Sequence, residues 1–76
     1  MTTTLSAEEQ AEALFVSPLQ GSDAPTTDQI RAAVADMLHR LGAQGCAAMV
    51  AQEYGEHPDD AVRRMLWAIQ TLRCAN

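Results

Sequence analysis

A thiol and a base are what nucleophilic catalysis pairs, and Cys46 with His57 supplies both types. With His39 and Cys74 they also make the four nitrogen and sulfur ligands that a tetrahedral zinc ion takes. Their spacing argues against both chemistries. The intervals are 7, 11 and 17 residues, whereas structural zinc sites bring ligands in pairs about two to four apart. Cys46 falls on the apolar face of a short helix, where a thiol is inert, and His39 falls on the polar face of another. The paired carboxylates Glu8-Glu9 and Asp59-Asp60 sit where helix starts favour acids. A chain of 76 residues also keeps little volume for a substrate cleft once its helices are packed. We therefore expect no catalytic residue, no metal site and no cofactor.

The remaining chemistry is recognition. With Pro58 to Arg73 read as one helix, Val62, Met65, Leu66, Ile69 and Leu72 form an apolar stripe. The single tryptophan, Trp67, points away from it among Asp60, Arg63, Arg64 and Thr71. Arg63 and Trp67 are four apart and can stack as a cation–π pair, the residue types of an interface hot spot. Two covers for the indole are open. One is a partner molecule; the other is the apolar cluster Leu14, Phe15, Val16 and Leu19 of the same chain, which serves a small domain's need for buried area.

These residues must be positioned by helices. Alanine supplies 14 of the hydrophobic residues, which favours helix while adding little burial, and no period-2 alternation occurs. All five basic residues are arginine, as in chains from GC-rich bacterial genomes. The net charge of −5 lies wholly in the first third: residues 1–28 carry five acids and no base, while five acids balance five arginines beyond. An acidic leader on a balanced body lacks the clustered cations that nucleic acid or anionic lipid requires. No apolar run is long enough to span a membrane and no export signal is visible, so the expected place is the cytoplasm, with both thiols free, one in the core and one terminal.

The expected fold is all-α: a small bundle of three main helices, about 27–41, 44–54 and 58–73, plus a short N-terminal helix, about 7–16. Ser6 with Glu9, and Thr26 with Gln29, have capping-box spacing. Ser17-Pro18 closes the first helix, and residues 19–26 read as a linker. Gly42 is read as a left-handed C-terminal cap, Gly55 as the stop of the third helix, and His57-Pro58 as the start of the fourth. Asp36–Arg40, Asp59–Arg63 and Asp60–Arg64 have ion-pair spacing. This divides the chain into an acidic leader, 1–26, docked less firmly, and a helical core domain, 27–76.

The short third helix and tight turn into the fourth, with Ala51 and Gly55 four apart, resemble a helix-turn-helix over about twenty residues. That resemblance implies a DNA-binding regulator using Arg63 and Arg64, against which stand Glu56, Asp59 and Asp60 at the leading end. In size and charge the chain is similar to acyl carrier proteins. Their modified serine lies in an Asp-Ser-Leu tripeptide; here Gly21-Ser22-Asp23 has the wrong order, and no site is carried across. The function expected is a non-enzymatic protein–protein interaction module, an adaptor or regulatory subunit and a possible homodimer. Its partner-binding residues would be Trp67, Arg63, Leu14 and Phe15. If the leader is the contact, removing residues 1–24 should leave the body folded.

Overall fold

The computed structural model describes residues 6–74; residues 1–5 of the expected leader and 75–76 of the expected core domain lie outside the described residues. The architecture is a small all-helical bundle, without strands among the described residues.

Helix α1, Ala7–Val16, opens on a complete capping box: Glu9 N–H donates to the Ser6 hydroxyl at 3.1 Å, and Ser6 N–H donates to the Glu9 carboxylate at 3.0 Å. It stops at Ser17, whose extended backbone before Pro18 cannot continue the helix. The buried Ser17 hydroxyl donates back to the Leu14 carbonyl at 2.7 Å. The following linker is tied rather than loose. Gly21–Asp23 form one 3-10 turn, closed by Gln20 N–H donating to the Asp23 carboxylate at 3.0 Å.

Helix α2, Thr27–Glu56, starts on the second capping box, with Gln29 N–H to the Thr26 hydroxyl at 3.1 Å and Thr26 N–H to the Gln29 side chain at 2.8 Å. It is broken at Gly42 into arms 27–41 and 43–56, the second and third helices expected. Gly42 has φ 72° and ψ 167°, a region essentially confined to glycine. This is a sharper device than the left-handed cap read from sequence, because the chain re-enters helix at the next residue. Gly55 does not end the second arm, which runs to Glu56. The stop is His57, pushed out of the α region by the following proline. One residue therefore joins α2 to helix α3, Pro58–Cys74, whose first turn is closed by Ala61 N–H donating to the His57 carbonyl at 2.9 Å.

The core has two centres. Ala13, Leu14, Ile30, Val34, Cys46 and Ala68 form one; Phe15, Val50 and Ala61 form the other, with Val16 and Met65 packed against both. Docking of α1 is thus not loose: Leu14 is fully buried and is, with Cys46, the largest side chain to be so.

The face of α3 is the main correction to the sequence reading. Val62, Leu66 and Ile69, expected in the core, are 48%, 53% and 36% exposed. The inward face is Ala61, Met65, Ala68 and Leu72, flanked by Arg64 and Trp67, roughly a quarter turn away at 100° per residue. The reason is shape and satisfaction together. Alanines at 61 and 68, both fully buried, let the helix come close to its neighbours. Only this rotation puts the indole, an area of about 150–250 Å², under the linker.

Candidate interaction surface

Trp67 is half-buried, joins the larger core centre, and is covered within the chain. Gly21 lies directly on it: a Cβ at that position would stand 3.0 Å from the indole Nε1 and 3.1 Å from Cδ1. The linker's glycine is therefore a close-approach residue, and the two flat surfaces meet because no side chain intervenes.

The cation on the ring is Arg64, not Arg63; its guanidinium carbon lies 4.6 Å from the ring centroid. Nor does Arg64 pair with Asp60. It crosses to the end of α1, donating to the carbonyls of Phe15 at 2.9 Å, Ser17 at 2.8 Å and Leu14 at 3.5 Å. Helix α1 has no basic residue in its own last turn. Arg64 thus supplies from α3 the positive charge that the negative end of α1 favours. Partial burial pulls this guanidinium down from its ordinary value, though arginine remains a cation in proteins.

Arg63 stays at the surface and pairs with Asp60 at 2.9 Å, three residues back rather than with Asp59. Asp36 and Arg40 pair at 3.0 Å as their spacing predicts. Leu14 and Phe15 are buried, Phe15 stacking on Tyr54 with ring centroids 6.2 Å apart. Of the four residues expected to meet a partner, only Arg63 is exposed.

The thiol and the imidazole are not presented together: Cys46 is fully buried and His57 is exposed. The Cys46 thiol lies 3.8 Å from the Met37 carbonyl. Burial, and secondarily the charge of Glu12, push its pKa above the ordinary value. Among the described residues no group of three or more His, Cys, Asp or Glu is arranged to hold a metal. No helix among them is long and apolar enough to cross a membrane. At the helix-turn-helix-like corner, the leading end of α3 presents Asp59 and Asp60 while Arg64 turns inward.

A raised Cys46 pKa has a testable sign. The unfolded thiol ionises near pH 8.5, and the folded one resists ionisation. The stability contributed by the neutral buried thiol is complete below that value and is lost as pH rises from it through the higher pKa of the folded thiol, with a limiting slope of about 1.4 kcal/mol per pH unit between the two. Thermal melts between pH 7 and 10.5 should show the decline, and Cys46→Ala should remove this part of it. A decline that is unchanged in the variant would assign it to other groups.

Besides Leu41, Met49 and Tyr54 of α2, the fold leaves the other side of α3 open to solvent. Val62, Leu66 and Ile69, at i, i+4 and i+7, make one continuous apolar stripe, most exposed at Leu66 in its middle. At its C-terminal end Ile69, Leu72 and Arg73 face Ala7, Glu8 and Gln10 of α1 across a groove of about 370 Å³. This stripe is the feature that sequence reasoning missed as a surface. The signal was present as a second, all-small face of α3, Ala61 and Ala68, able to serve as the buried one.

No family model matches the chain, and no curated protein and no solved structure matches it either.

Proposed function

We propose that this chain is a non-enzymatic protein–protein interaction module, an adaptor or regulatory subunit, whose contact face is the Val62-Leu66-Ile69 stripe of α3. The observation that carries the reading is the exposure of three large aliphatic side chains in one row while alanines of the same helix are fully buried. Isolated apolar residues on a surface need no explanation, but a contiguous row in a chain short of core does. Arg63, next to Leu66 around the helix, is a rim residue of this face, and Trp67 supports it from behind without being the contact. The buried thiol and the separately exposed imidazole favour a binding role over a catalytic one. Two free thiols, one of them exposed, accord with a reducing cytoplasmic setting.

The test is a photo-crosslinking amino acid in the full chain within its host cell, at position 66 or at the exposed position 39 of α2. The expected result is one discrete adduct from position 66 and none from position 39. No discrete adduct from position 66, or equal adducts from both positions, would overturn the module reading.

A further inference from the structure

We infer that the occupant of the α3 stripe is a second copy of this chain, packed antiparallel about a two-fold axis at Leu66. The inference rests on the reading of α3 as a contact face and adds its partner. Its basis is the charge at the two ends of the stripe. Asp59 lies seven residues before Leu66 and Arg73 seven residues after it. Seven residues are nearly two turns, so all three share one face. Both charged side chains are exposed, and neither makes an ion pair among the described residues. Glu8 lines the same groove as Arg73 without pairing with it.

The row is therefore acid, apolar, base, with its apolar apex at the midpoint. Such a row complements itself in one orientation. Antiparallel pairing about Leu66 brings Asp59 of each copy to Arg73 of the other, twice by symmetry, and joins Leu66 to Leu66 at the axis. It also sets the two helix dipoles head to tail. Parallel pairing would face Asp59 with Asp59 and Arg73 with Arg73. A single helix pair buries less than the roughly 1,200 Å² of a standard interface, so the dimer is weak and reversible.

Sedimentation equilibrium of the full chain from about 5 μM to 1 mM reads it directly, a range suited to such weak contacts. Wild type should pass from monomer to dimer. Leu66→Asp, which puts two carboxylates at the axis, should weaken the dimer by roughly 100-fold or more while keeping the monomer's circular dichroism and melting temperature. Asp59→Arg and Arg73→Asp should each weaken it roughly tenfold, and the double variant should return to within about threefold of wild type. A chain monomeric throughout, a Leu66→Asp variant that still dimerises, or a double variant no better than the single ones would each overturn the antiparallel dimer. The adduct from position 66 separates the two readings. An adduct of twice the chain's mass supports the dimer. A discrete adduct of another mass leaves the module reading standing and removes the second copy; no adduct removes both.

Discussion

Deleting residues 1–24 is expected to unfold the remainder of the chain. The deletion removes Ala13, Leu14 and Phe15, so both core centres lose buried members at once. It also strips Gly21 from the indole of Trp67 and leaves Arg64 with no carbonyls to meet. Truncating a buried leucine to alanine alone costs about 2–5 kcal/mol, and one small hydrophobic core supplies about 3–5 kcal/mol in total. The milder Leu14→Ala should therefore remove much of the chain's stability, and the deletion all of it. Far-ultraviolet circular dichroism should fall, cooperative melting should vanish, and Trp67 emission should move to the red. A truncated chain that melts cooperatively would mean that residues 27–74 hold together without α1, as the sequence alone suggested.

The second large effect belongs to Arg64. Arg64→Ala removes two good charge-assisted hydrogen bonds and a third long one, the cover of the Trp67 ring, and the cation that meets the end of α1. Hydrogen bonds to charged groups contribute about 1.5–3 kcal/mol each, discounted here because Arg64 is only partly buried, so a loss of about 2–4 kcal/mol is expected. Arg64→Lys should recover less than half of it, since an ammonium cannot fork between the Phe15 and Ser17 carbonyls. Arg63→Ala, in contrast, breaks one fully exposed pair and should shift the melting temperature little. Chemical denaturation of the three variants gives the comparison. Equal losses at 63 and 64 would show that Arg64 is a surface charge and no more.

These two residues also mark what a sequence can and cannot say about this fold. Helix ends were legible because they are local: Ser6 with Glu9, Thr26 with Gln29, Ser17 before Pro18 and His57 before Pro58 each satisfy or block a backbone group within four residues. The break at Gly42 was legible for the same reason, though not the immediate return to helix. The rotation of α3 was not. Periodicity finds the row of large aliphatics and assigns it inward, but packing chose the alanine face, because close approach there also lets Trp67 and Arg64 reach the linker and α1. Local ion-pair spacing likewise gives Arg64 to Asp60, whereas its acceptors lie almost fifty residues away. The candidate surface followed from that one rotation: Val62, Leu66 and Ile69 were recognised as a group and placed on the wrong side.

The separation between Arg64 and the carbonyls of α1 also sets an order of events during synthesis. The residues that seal α1, Ala61, Arg64 and Ala68, are translated some fifty residues after Phe15. At about 5–20 residues per second, synthesis of these last neighbours follows that of α1 by roughly 3–10 s. Until then Leu14 and Phe15 can pack only against α2, whose Ile30, Val34, Cys46 and Val50 come earlier in the chain, and the charged side chains of their own helix are Glu8, Glu9 and Glu12. Like charges on that segment disfavour association of chains through the part of the core that still waits for α3.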